Sequence, residues 1–384
     1  MMSTLFLLLI IGISVAVGCY VGQKHLVDLG EYQPQFSKDY FKGLNFLLNE
    51  QPDKAVDIFT KLLQVDSDTV ETHLALGSLF RKRGEIGRAI KIHQNLIARP
   101  KLPKQQRMSA LVALGKDYLQ AGLVDRAEKL FLEITSLGDD PHISLQYLLS
   151  IYQQQKNWES AIKVAKQLKA LSSPLLTIEI AHYYCELAQQ KIIHQDVENA
   201  LKLLKLALKQ DPDCVRAILL TSSIYFEQKE YKKAIKSVQS LLQQDKVLFS
   251  EGLKIFYLSY RELDLESRCV ELLKDEFQSV SNIDVALYIT DYYKNQNGED
   301  NIQLAFRYLS QYLQNFPSLK GLIYLIDLKT ISENKNFDIL KKIIEAMLKT
   351  MSRYRCSQCG FKTNQLIWLC PGCKEWSVIK PVNY

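Results

Sequence analysis

Residues 77–93 read GSLFRKRGEIGRAIKIH, and the positions Gly77, Phe80, Ala89 and His93 within them recur at fixed spacing along the chain. Thirty-four residues earlier stand Gly43, Phe46, Ala55 and Phe59; after an insertion of four near Pro100 to Lys104 come Gly115, Tyr118, Ala127 and Phe131. The series continues at Tyr152, Ala161 and Ala165, at Ala200, Leu204, Ala207 and Pro212, and at Tyr225, Ala234 and Val238. Weaker units surround Cys269 and Ala305 to Pro317. A period of this length is one helical hairpin. The small residue lets the second helix pack closely on the first, and the aromatic fills the gap to the neighbouring hairpin. Each unit buries its apolar face only by stacking, which predicts a right-handed solenoid of about eight hairpins.

This is the tetratricopeptide pattern, and residues 37–350 are assigned to it. Composition agrees. The chain has 384 residues, 47% of them hydrophobic, with 16 glycines and 10 prolines, so there is ample material for a helical core. The fold class is all-α, with additions at both ends.

At the C-terminal end, residues 351–384 contain Cys356, Cys359, Cys370 and Cys373, two C-x-x-C turns separated by ten residues. Each turn aims two thiolates at one point, and two turns close a tetrahedral shell for one iron or zinc ion. A closed shell keeps no position for water or substrate, so the metal is structural or regulatory rather than catalytic. Gly360, Pro371 and Gly372 supply the turn geometry, and Phe361, Ile367, Trp368, Trp376 and Val378 can cap so small a unit around its metal. C-x-x-C-G followed by C-P-x-C resembles rubredoxin, which makes iron a candidate. It departs at Lys374, where rubredoxin has a second glycine. Nothing in the sequence ties this ribbon's core to that of the repeats, so the repeats are expected to stand without it, while Trp368 and Trp376 favour docking.

At the other end, Leu5 to Gly22 carry no charge. Eighteen helical residues span about 27 Å, enough for a hydrocarbon core, so 1–22 is read as a transmembrane anchor and 23–36 as a juxtamembrane linker. Lys24 follows the run and nothing basic precedes it, which places the bulk of the chain in the cytoplasm. Gly12 and Ala16, and Gly18 and Gly22, have the spacing at which two membrane helices pack, so a homodimer is admitted. Lipidation at Cys19, giving a periplasmic lipoprotein scaffold, is an alternative. Cys19, Cys185, Cys214 and Cys269 have no framework spacing and read as reduced thiols in a reducing compartment.

Catalytic constellations are scarce. The histidines His25, His73, His93, His142, His182 and His194 are scattered, and no H-E-x-x-H, G-x-S-x-G or phosphate loop occurs. His93 falls in the aromatic slot of its repeat. His182 and Cys185 sit three apart on one helix, where a dyad is conceivable, but the aromatic setting favours a hydrogen-bonded core histidine. Arg81, Lys82, Arg83, Arg88 and Lys91 read as a solvated face, with an anion-binding edge as the alternative. The net charge of +6 is spread rather than clustered, unlike a nucleic-acid binder. A redox-active iron protein or an enzyme using the four cysteines is the competing class.

Anchor, tetratricopeptide repeats and terminal knuckle, in that order, resemble the lipopolysaccharide assembly protein B family. The local text is similar too: Leu79-Phe80-Arg81, Arg83-Gly84-Glu85, Arg88-Ala89-Ile90, Ile180-Ala181-His182, Tyr184-Cys185-Glu186-Leu187-Ala188, and Trp376-Ser377-Val378-Ile379-Lys380-Pro381. The resemblance implies a non-enzymatic regulator at the cytoplasmic face of the inner membrane. It implies as partners a membrane-bound ATP-dependent metalloprotease, the lipid A pathway deacetylase whose degradation it promotes, and other lipopolysaccharide synthesis or transport proteins. The four cysteines would be the metal ligands.

Overall fold

The computed structural model describes residues 41–382 apart from short stretches, the longest of them 60–69. The expected anchor at 1–22 and linker at 23–36 lie outside the described residues. Among the described residues no helix is long and apolar enough to cross a membrane. The chain forms two compact units, residues 1–144 and 145–384.

In the first unit, helical residues at 41–43, 45–46, 54–56 and 58–59 precede α1 (Val70–Lys82), α2 (Ile86–Ile97), α3 (Lys104–Gln120) and α4 (Val124–Leu137). The small and aromatic positions of the repeat meet as the pattern predicts. Ala55, Ala89 and Ala127 are fully buried, as are Phe59, His93 and Phe131. The glycines are there for close approach: a Cβ on Gly115 would lie 2.5 Å from Phe131 Cζ, and one on Gly77 2.4 Å from His93 Nε2. Gly115→Val is therefore expected to overpack the α3–α4 hairpin and cost ~1–3 kcal/mol. Thermal melting of the full chain checks this, and an unchanged midpoint would mean that Phe131 can move aside freely.

His93 does more than fill the aromatic slot. Its Nδ1 lies 2.5 Å from Oδ2 of Asp117, a fully buried carboxylate, and Arg81 Nη1 donates to the other oxygen at 2.6 Å. A buried carboxylate persists only when paired in this way. Arg81 thus leaves the solvated face expected of the basic cluster, while Arg83 and Arg88 do stay near the surface, both paired with Glu85.

The second unit begins within α5 (His142–Gln154) and continues through α6 (Trp158–Leu171), α7 (Thr177–Ile193), α8 (Val197–Gln210), α9 (Val215–Glu227), α10 (Tyr231–Gln239) and the short α11 (Leu241–Gln244). Then follow α12 (Phe249–Arg261), α13 (Glu266–Glu276), α14 (Ile283–Asn295), α15 (Glu299–Asn315), α16 (Leu319–Lys329) and α17 (Lys335–Thr350). Its main core gathers Val238, Phe249, Leu253, Phe256, Cys269 and Leu273. The fully buried Cys269 serves as the small residue of its hairpin, and burial pushes its thiol up to about 12.

One backbone device runs through both units. At the turn between the two helices of a hairpin, one residue has positive φ and donates its N–H to the carbonyl three residues back. Gly84 and Gly122 do this in the first unit; Lys156, Gln195, Lys229 and Asp264 do it in the second, at φ between 56° and 60°. Glycine is free there, and the others accept a left-handed conformation because stacking on both sides fixes the turn.

After α17 the chain makes a three-stranded antiparallel sheet in the order β2-β1-β3, with β1 Tyr354–Cys356, β2 Lys362–Thr363 and β3 Ile379–Pro381. Tyr354, Cys356, Cys370 and Ile379 are its buried core. Phe361, expected to cap this ribbon, is instead 37% exposed. So few apolar groups cannot hold the unit, which leaves that work to the cysteines.

Candidate metal centre

The sulfurs of Cys356, Cys359, Cys370 and Cys373 all lie within 4.8 Å of one another. Cys356 Sγ is 3.7 Å from Cys373 Sγ, and Cys359 Sγ is 3.6 Å from Cys370 Sγ. A metal bound at about 2.3 Å to four tetrahedral sulfurs sets their edges at about 3.8 Å, so the thiols already stand where one ion needs them.

Two knuckles built alike produce this. Gly360 N–H donates to Cys356 O at 3.1 Å and Lys374 N–H to Cys370 O at 2.9 Å. The residue after each second cysteine takes positive φ, Gly360 at 75° and Lys374 at 62°. The departure from rubredoxin at Lys374 therefore leaves the turn in the same region and adds strain. Lys374→Gly is expected to relieve ~1 kcal/mol of it and slow metal loss to a chelator; a faster loss would show that the lysine side chain, not its backbone, matters. Gly372 is required for space, since a Cβ there would lie 3.0 Å from Cys359 Sγ.

The electrostatics call for a cation. Burial works against ionising Cys356, but the backbone N–H groups of Cys359 and Gln358, each 3.4 Å from its sulfur, outweigh it and bring the thiol down to about 6. The Glu375 N–H lowers Cys373, yet burial and the neighbouring thiols win and push it up to about 12. Four sulfurs this close cannot all ionise alone. A divalent ion makes them able to.

The ribbon is seated on the repeats of its own unit. His182 of α7, fully buried, places Nε2 2.6 Å from Ser377 Oγ, and its ring stacks on Trp376 at 4.6 Å between centroids. Trp368 lies against the same ring at 5.9 Å, and Tyr183 meets Trp376 edge-on. Tyr354 donates to Glu251 of α12 at 2.8 Å, and Lys380 pairs with Asp245 at 2.6 Å. Burial, with the charge of Arg216 adding, brings His182 down to about 3, so it is held neutral. The expected core histidine is thus found, but the core is shared with the ribbon, and the expectation that the repeats pack independently of it does not hold at α7.

The imagined His182–Cys185 dyad is not assembled. Cys185 Sγ faces Cys214 Sγ at 3.9 Å, and that contact together with burial keeps its thiol well above the usual range. Sequence reasoning also missed Arg216, buried on α9, whose guanidinium donates to Glu186 at 2.8 Å and Gln189 at 2.7 Å. The signal was present as Arg216 between Cys214 and Ala217, a charge in an otherwise apolar run.

Fold and site define a class: a tetratricopeptide-repeat protein carrying a rubredoxin-type metal-binding ribbon. Family models described as "Tetratricopeptide repeat" match residues 72–107 and 192–247, and one described as "Rubredoxin metal binding domain" matches 354–381, over the four cysteines. The chain is 37% identical to lipopolysaccharide assembly protein B of Escherichia coli (strain K12), covering 100% of this chain and 99% of that protein. It is 34% identical to the protein of the same name from Haemophilus influenzae, with the same coverage. The chain belongs to the lipopolysaccharide assembly protein B family. Among solved structures it is similar to MamA, at 18% identity and a TM-score of 0.34 over 44% of this chain and 94% of that one.

Proposed function

We propose that this chain is a non-enzymatic adaptor of the inner membrane that acts in lipopolysaccharide assembly and limits its first committed steps. The reading has three parts. The apolar run Leu5–Gly22 anchors the chain with its bulk in the cytoplasm. The repeats hold the lipid A pathway deacetylase and present it to a membrane-bound ATP-dependent metalloprotease. The metal ribbon fixes the surface that the repeats offer.

The observation that carries this reading is the full-length correspondence to relatives named for lipopolysaccharide assembly, joined to a candidate metal centre, the one found among the described residues, whose four cysteines can form a closed sulfur shell. Stacked hairpins suit binding of a chain. Confinement to a surface raises the effective concentration of whatever is bound, so modest affinity per contact suffices. The metal supplies a cross-link between two turns, and this chain's own residues His182, Glu251 and Asp245 hold the ribbon in place.

The test is complementation in Escherichia coli depleted of its own relative. The full chain should shorten the deacetylase lifetime and restore lipopolysaccharide levels, and a chain lacking residues 2–22 should fail at native abundance while remaining folded. Restored lipopolysaccharide with an unaltered deacetylase lifetime would overturn the proteolytic part, and full activity of the truncation would overturn the anchor.

A further inference from the structure

The chain has three tryptophans. All three, Trp158 of α6 and Trp368 and Trp376 of the ribbon, line a single cavity of about 580 Å³ between repeats and ribbon in the second unit. The volume is that of a ligand pocket rather than a packing fault. Tryptophan is the residue type most enriched where a surface decides the affinity of a partner; here Trp158 and Trp376, 6% and 7% exposed and stacked on Tyr183 and His182, back the cavity, and the half-buried Trp368 is the most accessible of the three. Leu220 of α9 and Leu366 of the ribbon extend the apolar wall.

The polar groups have one bias. Arg216 is committed to Glu186 and Gln189. Lys156, exposed where the α5–α6 turn meets the cavity, has no carboxylate partner among the described residues. The buried Trp376 Nε1–H also has no acceptor among them. Apolar walls with one spare donor and a spare cation call for a ligand that brings an apolar group together with an acceptor and negative charge.

We propose that this cavity binds an extended segment of a partner polypeptide, presenting a large apolar side chain beside a carboxylate. The apolar side chain lies among the tryptophans, the carboxylate pairs with Lys156, and the peptide backbone supplies a carbonyl acceptor. The proposal rests on the adaptor reading above and names the place at which the adaptor holds its partner. Because one wall is the ribbon, the pocket exists only while the ribbon is metal-bound and docked.

The placement of the tryptophans makes the site its own reporter. Purified, metal-loaded full chain is titrated with tryptophan-free N-acetylated octapeptides carrying a central Phe between Glu residues, and with versions having central Ala or flanking Lys. The Phe–Glu peptide is expected to give a saturable shift of tryptophan emission, with affinity at least about tenfold weaker for the Ala and Lys versions. Lys156→Glu should weaken the Phe–Glu peptide by about tenfold or more and favour the Lys version, and Leu220→Glu should abolish binding. Both variants must keep helical content and metal. No saturable shift at millimolar peptide, an equal response to the Ala version, or binding indifferent to both substitutions would overturn the proposal. The adaptor reading is tested apart from it. Leu220→Glu that loses the peptide yet restores lipopolysaccharide control in cells would sink the pocket as the place where the adaptor holds its partner and leave the adaptor standing, whereas a wild-type chain that binds peptide but restores no control would sink the adaptor reading.

Discussion

Replacing Cys356 and Cys359 by serine is expected to strip the metal and unfold residues 354–381. Two thiolates cannot hold an ion that four sulfurs, all within 4.8 Å of one another, are built to surround. The ribbon has little else: two- and three-residue strands and a core of Tyr354, Ile379 and the cysteines themselves. A structural site of this kind contributes on the order of 10 kcal/mol to the fold that it closes. The repeats should keep their helices. They should also lose stability in the second unit, because His182 and Tyr183, both fully buried, are covered in part by Trp376. Metal analysis should fall from about one ion per chain to none, and tryptophan emission should shift red as Trp376, 7% exposed in the native chain, enters water. A metal-free variant whose emission stays unshifted would show that packing alone holds the ribbon.

The hairpin repeat and the four-cysteine centre were both legible in the sequence, for the same reason. Each rests on residue types that only one local geometry accommodates, such as Gly115 under Phe131 or paired thiols across a C-x-x-C turn. The glycine signal of the repeat fades after Gly122 although the turn itself does not. Lys156, Gln195, Lys229 and Asp264 adopt the same left-handed turn without announcing it, because stacking overrides local preference. Long-range pairings were illegible. Nothing local to Asp117 names Arg81 and His93 as its partners, and nothing local to Ser377 names His182, 195 residues away. The stretch around His182 did stand out as aromatic, but its meaning, a seat for the ribbon, exists only once both parts are folded. Lys374 was visible as a departure from rubredoxin, and its positive φ shows that the departure is in the side chain alone.

Lowering the pH from 7 toward 5 is expected to destabilise the second unit, with His182 as the origin. In the folded chain burial, aided by Arg216, holds this imidazole at about 3, against 6.5 when it is solvated. Above about 6.5 both states carry a neutral ring and no stability depends on pH. Below it the unfolded chain binds a proton that folded His182 refuses, so stability falls as the pH drops, by up to ~1.4 kcal/mol per unit until about pH 3. Glu179 on the same helix acts with the opposite sign: burial, with Glu375 adding, raises its carboxyl, which favours the folded state as pH falls, so it cannot cause the loss. Denaturant melts followed by tryptophan emission at pH 7.5, 6 and 5 should show the decline in the wild type. His182→Gln keeps a polar partner for Ser377 without titrating, and its melts should be close to flat over the same range. Metal content measured on the same samples must stay constant, since protonation of the cysteines would release the ribbon by another route. Equal losses in the wild type and in His182→Gln, at constant metal, would mean that some other group drives the transition and that the stacked imidazole is indifferent to its proton.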